Sequence, residues 1–157
     1  MARYRTHRLV GGLAGGVTAG VVARNQPAGW ALAEIAGGTV GGIAGGILPD
    51  WLEPALGSYH RSFFHSIAAA AAAGSLTHNV LFRTAEGPIQ QLRAKADELA
   101  ERSCIEQDPM IALFLFLTAC AARMLAGAIS GFVAGYGSHL ILDAATARSL
   151  PLVVQGL

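Results

Sequence analysis

Uncharged, apolar stretches alternate with short polar segments along almost the whole chain. Asp, Glu, Lys and Arg are absent from residues 9–23, 35–49, 62–82, 110–122 and 124–142. At about 1.5 Å per residue, a helix over 62–82 reaches about 31 Å and can cross a bilayer core, whereas one over 9–23 reaches only about 22 Å. The pattern predicts an all-α, polytopic bundle of about four transmembrane helices, the first of them short.

Glycine recurs every four residues within these stretches. The rows with this spacing are Gly11 and Gly15; Gly12, Gly16 and Gly20; Gly37, Gly41 and Gly45; Gly38, Gly42 and Gly46; and Gly127, Gly131 and Gly135. In lipid this spacing places a flat strip on one helix face, so that two backbones approach closely. The residues between the glycines are mostly Val, Leu, Ile and Ala, which argues against a flexible linker. We expect glycine faces to pack the helices, or to assemble the chain with itself.

Residues 84–108 have a different, strongly charged character. Ile89, Leu92, Ala96 and Leu99 recur there at helical spacing, and the charged residues fall elsewhere. The pattern predicts an amphipathic helix that lies on the membrane surface or caps the bundle, with Glu98 and Arg102 as an i,i+4 ion pair. Asp108 and Pro109 are typical of the N-cap and first residue of a following helix.

The composition agrees with one membrane domain over residues 1–157, in which 84–108 is an insertion. Hydrophobic residues make up 53% of the chain and charged residues 13%, about half the charged share of a soluble domain. The formal charge of +1 lacks the basic footprint of a nucleic-acid-binding protein. Arginines before the first apolar stretch also fit a secretory signal peptide, but the further stretches favour a first transmembrane helix.

Six ionisable residues lie at or near the ends of the apolar stretches: His7, Asp50, His60, His65, His139 and Asp143. On a helix His139 and Asp143 share one face, so an imidazole nitrogen and a carboxylate oxygen can reach the same ion. An unpaired carboxylate after an apolar turn is costly in lipid. A lone histidine beside a membrane helix is more often an interfacial or hydrogen-bonded residue, so it is the joint pattern that indicates a metal site.

The predicted helix order brings these residues to one membrane face. The first helix leads away from His7, the second returns to Asp50, and the third then begins on the same side with its two histidines. The last His and Asp join them if residues 109–143 cross once, as one long or kinked helix. Two separate crossings would place that pair on the opposite side, and we favour the single crossing. Arg123 and Glu34 are expected to be buried partners, because charges inside a membrane usually pair.

Four motifs follow one another along the chain: THRLVGG at 6–12, LPD at 48–50, HRSFFHS at 60–66 and GYGSHLILDAAT at 135–146. In this order they resemble the YdjM/YbcI-type family of bacterial inner-membrane proteins, which are described as membrane-bound metal-dependent hydrolases. The resemblance covers nearly the whole chain. It implies the bacterial cytoplasmic (inner) membrane, a divalent metal such as Zn²⁺ held by the six His and Asp residues, and Ser138 and Thr146 at the family's polar positions.

The chain departs from the family pattern in three places. The family often has a second acid two residues after the LPD aspartate, where this chain has Leu52, with Glu53 one position later. A shift of one residue turns a helical side chain by about 100°. Phe64 replaces a threonine before the second histidine, and 84–108 is an insertion relative to compact members. These departures point to one metal instead of two, or to a degenerate site.

The function favoured by the residues and the resemblance is a metal-dependent hydrolase. A Zn²⁺-like ion lowers the pKa of bound water, and the resulting hydroxide attacks a phosphoester or an ester. Asp50 is the candidate bridging ligand or general base, with Glu53 as a second candidate acid. The family's likeness to zinc-dependent phospholipases suggests a lipid substrate. The alternatives are a non-catalytic protein with a structural metal site, and a metal transporter, which would need polar groups through the membrane depth.

Overall fold

The structure, a computed structural model, describes residues 4–52 and 82–144. These residues form four helices: α1 (Tyr4–Val22), α2 (Ala28–Leu52), α3 (Phe82–Ile105) and α4 (Pro109–Ala144). The predicted all-α class is confirmed for this part of the chain. The predicted third transmembrane helix over 62–82 lies outside the described residues.

Two of the four described helices are long and apolar enough to cross a membrane. By length and composition they are Ala28–Trp51 of α2 and Pro109–Asp143 of α4. The structure joins the stretches 110–122 and 124–142 into one continuous helix of 36 residues, as the single-crossing prediction requires. Among the described helices α1, which the sequence predicts as a short span, does not qualify.

The α2 and α4 helices run parallel and touch through their main chains. A methyl group on one glycine row of α2 would overlap α4 main-chain atoms at successive levels: Gly37 against Met124, Gly41 against Ala128, and Gly45 against Phe132. The glycine row of α4 meets α2 in the same way: Gly127 against Glu34, Gly131 against Gly38, and Gly135 against Gly42. Residue numbers rise together on the two helices, which defines their parallel direction. Larger side chains in these rows would separate the helices.

The α1 helix packs antiparallel against the neighbouring glycine row of α2 (38, 42 and 46), which is turned by about 100° from the row at 37, 41 and 45. Gly11 faces the main chain of Gly42, and Gly15 faces that of Gly38, so that numbers rise on one helix as they fall on the other. The outer side of α1 carries an exposed stripe at four-residue spacing, Leu9, Leu13, Val17 and Val21. The glycine rows on α1, α2 and α4 are therefore in contact within the chain, whereas large apolar side chains face outward.

The α3 helix packs against the first half of α4 and is amphipathic, as predicted. Ile89, Ala96 and Leu99 are buried, and the last two form a small apolar cluster with Ala119 of α4. The predicted N-cap of α4 is also confirmed, because Oδ1 of Asp108 accepts hydrogen bonds from the main-chain N–H groups of residues 110 and 111 at 2.8 and 3.3 Å.

The first half of α4 extends beyond the start of α2. Gly37 lies opposite Met124 and Gly127 opposite Glu34, so Ala28 lies between the levels of residues 115 and 121. Roughly six to twelve residues of α4, or about 9–18 Å of helix, therefore project past α2 with part of α3 beside them. The α3 helix also reaches the bundle, where Arg93 donates to Glu34 of α2 and to the carbonyl oxygen of Val22 of α1.

Candidate metal site

Three helices carry two histidines and two aspartates to one end of the bundle. His7 lies near the beginning of α1, Asp50 near the last residue of α2, and His139 and Asp143 one turn apart near the last residue of α4. They meet because α1 is antiparallel to α2 while α4 is parallel to it. His7, His139 and Asp143 are buried, whereas the side chain of Asp50 is 41% exposed.

The nitrogen and oxygen atoms of these side chains face one another at nearly equal distances. Nε2 of His7 lies 3.4 Å from Oδ1 of Asp143, and Nε2 of His139 lies 3.6 Å from Oδ2 of Asp143 and 3.7 Å from Oδ1 of Asp50. His7, Asp50 and His139 each offer a ligand atom within 4.8 Å of the others. Two ligands of a tetrahedral ion with bonds of about 2.05 Å lie about 3.4 Å apart. The spacing suits ligands of a shared ion and exceeds an N–H···O hydrogen bond of about 2.7–3.2 Å.

The main chain of α2 orients the ring of His139. Nδ1 of His139 lies 2.6 Å from the carbonyl oxygen of Gly46. A carbonyl oxygen only accepts hydrogen bonds, so Nδ1 donates, and in the neutral ring Nε2 keeps its lone pair. That lone pair faces the carboxylates of Asp50 and Asp143. A histidine that binds a metal through one nitrogen commonly donates from the other to a carbonyl or carboxylate, which fixes the ring.

The two imidazole rings lie against each other. The ring centroids of His7 and His139 are 4.0 Å apart, with an angle of 26° between the planes. Within the described residues, the buried Nδ1 of His7 has no hydrogen-bond partner, while Nε2 points to Asp143. Buried polar atoms are usually satisfied, so this nitrogen is an available acceptor or donor inside the site.

The structure brings together four of the six predicted ligand candidates. His60, His65 and the candidate acid Glu53 lie outside the described residues, as does Thr146. Ser138 is described, but its hydroxyl donates to the carbonyl oxygen of Gly135 at 2.8 Å, so that its hydrogen serves its own helix. The contribution of Gly46 was missed, because a carbonyl group carries no sequence signal and its use depends on the helix register.

A second buried polar cluster lies toward the opposite end of α2. Oε1 of Glu34 accepts from Nη1 of Arg123 at 3.0 Å, which confirms the predicted pair. Arg93 of α3 donates to both carboxylate oxygens, from Nε at 2.9 Å and from Nη2 at 2.6 Å. Nη2 of Arg123 also donates to Asp97 at 2.6 Å, and Nη1 donates to Gln26 at 2.8 Å. This group, called the arginine cluster below, joins α2, α3 and α4.

The arginine cluster was only partly predicted. The sequence indicates Glu34 and Arg123, but it counts Arg93 among the charged residues outside the apolar stripe of α3. Arg93 follows Ile89 by four residues and precedes Ala96 by three, so it belongs to the buried stripe. This spacing from Ile89 and Ala96 could have predicted from the sequence that Arg93 is buried. Arg123 also lies over the ring of Trp30, with its guanidinium carbon 5.2 Å from the ring centroid.

The two clusters differ in what they can bind. The arginine cluster holds two guanidinium groups against two carboxylates, so its formal charges balance. At the other end, His7, Asp50 and His139 form a group that could hold a metal ion, and the carboxylate of Asp143 lies beside both histidines. Comparisons with protein-family models, curated proteins and solved structures give no match to this chain.

Proposed function

We propose that the chain is a multi-pass membrane protein that holds a divalent cation between α1, α2 and α4 and uses it in the hydrolysis of a phosphoester or ester. The observation that carries this proposal is the set of nitrogen and oxygen atoms that face one another at 3.4–3.7 Å around Asp143 and His139. Carboxylate oxygens and imidazole nitrogens that converge at this distance form a donor set for a divalent cation, and a cation bound there would offset the cost of burying the charged carboxylates.

The membrane part of the proposal is supported by three features. The α2 and α4 helices have spanning length and composition. The outer side of α1 is apolar from Leu9 to Val21, which suits contact with lipid better than contact with water. Trp51 is 78% exposed beside Asp50, and exposed tryptophans favour the boundary between lipid and water. We place the site at that boundary.

The chemical part rests on the unequal exposure of the four residues. A divalent ion bound there would supply a water molecule of lowered pKa. His7, His139 and Asp143 close one side of the site, whereas Asp50 is accessible. Asp50 is therefore the residue that can contact a substrate and accept a proton from the attacking water. The interfacial position makes a lipid ester or phosphoester the substrate class that we favour.

Family membership is part of the same proposal. The ordered motifs of the chain resemble the bacterial membrane-bound metal-dependent hydrolases, and His7, Asp50, His139 and Asp143 occupy the motif positions that the resemblance implies as ligands. By the same resemblance the protein resides in the bacterial inner membrane, and His60 and His65 complete the ligand set.

A structural metal site is the second candidate. It is favoured by the burial of His7, His139 and Asp143, each of which is at most 2% exposed. Structural sites are closed by protein ligands, whereas catalytic sites keep one position open. Under this reading the cation holds three helices together, and Asp50 has no role beyond binding.

The test is metal content followed by activity. Protein purified in detergent without chelator should contain about one divalent ion per chain, and Asp143→Asn should lack it. The metal-loaded protein should cleave a chromogenic phosphodiester, a chromogenic ester or phospholipid in vesicles, and chelator should abolish that cleavage. Ser138→Ala is the matched control on the same helix, because its hydroxyl donates to the α4 main chain.

The outcomes separate the two candidates. Asp50→Asn should reduce turnover more than metal content if Asp50 takes up the proton. Bound metal that stabilises the fold without any turnover would favour the structural site. Absence of metal from both the wild type and the metal-reconstituted protein would refute both.

A further inference from the structure

The contact between α2 and α4 has an almost exact repeat of one helical turn. The glycines at 127, 131 and 135 lie opposite residues 34, 38 and 42. If α4 moved by one turn, the same three glycines would lie opposite Gly38, Gly42 and Gly46. All three opposed positions would then be glycine, and the surface is main chain in both cases. The glycine rows therefore allow close packing but distinguish poorly between adjacent registers.

The polar groups on the two helices do not repeat in this way. A shift of four residues moves α4 by about 6 Å along the helix axis. Oε1 of Glu34 lies 3.0 Å from Nη1 of Arg123 in the observed register, and such a shift would carry that pair beyond hydrogen-bonding reach. The buried carboxylate and guanidinium groups would then have to find other partners or remain unpaired, which is strongly unfavourable.

The register also controls the distant end of the bundle. Glu34 and Asp50 are sixteen residues apart on α2, and Arg123 and His139 are sixteen residues apart on α4. Because the helices are parallel, a single axial position of α4 relative to α2 aligns Glu34 with Arg123 and also Asp50 with His139. The hydrogen bond from His139 to Gly46 depends on the same axial position. A register that pairs Glu34 with Arg123 therefore also brings His139 to Asp50, about 24 Å away.

We propose that the arginine cluster sets the register of α2 against α4, and that Glu34 and Arg123 are positioning residues for the distant metal site. Buried polar contacts fix register in other helical assemblies whose apolar contacts repeat. Arg93 strengthens this role because it brings α3 onto the same carboxylate. The effect on metal affinity rests on the proposed function, whereas the effect on register does not.

The direct test measures the register by the distance between two spin labels. Val40 of α2 and Leu125 of α4 are 61% and 53% exposed, and they differ in level by roughly two to eight residues, or about 3–12 Å. Both are changed to Cys for labelling in a background with Cys104→Ser and Cys120→Ala. Pulsed electron paramagnetic resonance in detergent with excess chelator reports the register without help from a metal. The otherwise unaltered protein should give a single narrow distance.

The informative variant replaces Glu34, Arg93 and Arg123 together by Met. Exchanging a buried ionic group for apolar residues is often neutral for stability, and the remaining carboxylate, Asp97, is 52% exposed, so the helices should still form. We expect a second distance that corresponds to a shift of one turn. Glu34→Gln is an independent test that changes the cluster less. In this variant the distribution of spin-label distances should broaden. Glu98→Gln, in an exposed pair on α3, should leave the distance unchanged.

Three results would overturn the proposal. The first is a single unaltered distance in the folded triple variant, and the second is the same result in Glu34→Gln should the triple variant fail to fold. The third is a pair of distances in the wild type with chelator that becomes a single distance when metal is added. The metal, and not the arginine cluster, would then set the register. In the positive case the triple variant should also bind Zn²⁺ at least tenfold more weakly. A shifted distance with no metal bound to any form would support the register and refute the metal site.

Discussion

The two buried polar clusters are built from similar residue types but reach opposite electrostatic results. In the arginine cluster, donors meet acceptors at 2.6–3.0 Å, and carboxylates and guanidinium groups balance. At the other end, Nε2 of each histidine faces carboxylate oxygens at 3.4–3.7 Å. The first cluster offsets its own charges. The second offers a group of ligand atoms that could hold a metal ion, and this difference separates a structural ion network from a candidate metal centre.

The largest expected effect comes from breaking the balanced cluster. Arg123→Met leaves Glu34 with one guanidinium instead of two and removes the buried partner of Asp97, so the free energy of unfolding should fall by about 3–5 kcal/mol. The fall should already appear in chelator and should be larger with metal, because a displaced metal site binds the ion more weakly. Unfolding in mixed micelles measures it, and Arg102→Met, on the exposed face of α3, is the control. A loss below about 1 kcal/mol for Arg123→Met would show that the cluster is dispensable for stability.

The next effect concerns the candidate metal site itself. Asp143→Asn keeps the shape of the side chain and removes its charge, so Zn²⁺ affinity should fall at least about a hundredfold, or roughly 2.7 kcal/mol. The stabilisation that added metal gives to the folded protein should shrink with it. Isothermal titration and thermal unfolding with and without chelator measure the two effects. An unchanged Zn²⁺ affinity in Asp143→Asn would mean that Asp143 is not a ligand.

The glycine contacts between the clusters should give an intermediate effect. Gly42 touches the main chain of α1 at Gly11 and Gly15, and α4 meets it at Gly135. Gly42→Leu would therefore push α1 away from α2, and overpacking of this kind costs typically about 1–3 kcal/mol. Gly29→Leu is the matched control on the same helix, since nothing lies within 4 Å of that position. Equal unfolding temperatures for the two variants would mean that the rows are not packing surfaces.

The smallest effect concerns an exposed ion pair that resembles neither cluster. Nζ of Lys95 donates to Glu98 at 2.8 Å, and this hydrogen bond, followed by the charge of Lys95, lowers the pKa of Glu98 below its ordinary value of 4.5. The pair therefore contributes stability above pH 4.5, and the contribution is lost as the pH falls through the lowered pKa. Lys95→Met should return the pKa of Glu98 toward 4.5 in an NMR titration.

Arg102→Met should change the pKa of Glu98 less, because its guanidinium lies 3.9 Å from the carboxylate. A larger effect of Arg102 than of Lys95 would contradict this order. The sequence predicts the i,i+4 pair of Glu98 with Arg102, and that pair is present. The shorter i,i+3 contact with Lys95 was missed.

The helices were predictable where hydrophobic pattern alone decides them. Absence of charge predicts α1, α2 and α4, and helical periodicity predicts α3. The choice of one long helix for α4 required a further argument, because Arg123 interrupts the apolar run. The structure shows why the interruption is tolerated, since Arg123 is buried against Glu34 and Asp97 instead of facing lipid. Spanning character was less predictable, and α1 falls short because Arg5, His7 and Arg8 occupy its first turns.

The candidate site was predictable in its residues but not in its geometry. The order of the helices predicts His7 and Asp50 at one end, and it adds His139 and Asp143 on the condition that residues 109–143 cross once. The stacking of two imidazole rings and the use of the Gly46 carbonyl depend on rotation and register at a scale of a few ångströms. A linear sequence specifies these only through the sum of all packing contacts, so they could be seen only in the structure.

Where α2 contacts α1 and α4, the absence of a side chain on each glycine also determines which atoms meet. The position where a Cβ would stand at Gly15, Gly41, Gly45, Gly127 and Gly131 is closest in each case to a carbonyl oxygen of the facing helix. A glycine carries a Cα hydrogen in that direction, so these helix contacts consist of successive weak Cα–H···O=C contacts, each contributing about 0.5–1 kcal/mol. Such contacts have no rotamers to freeze, so this bundle can close with little loss of side-chain entropy.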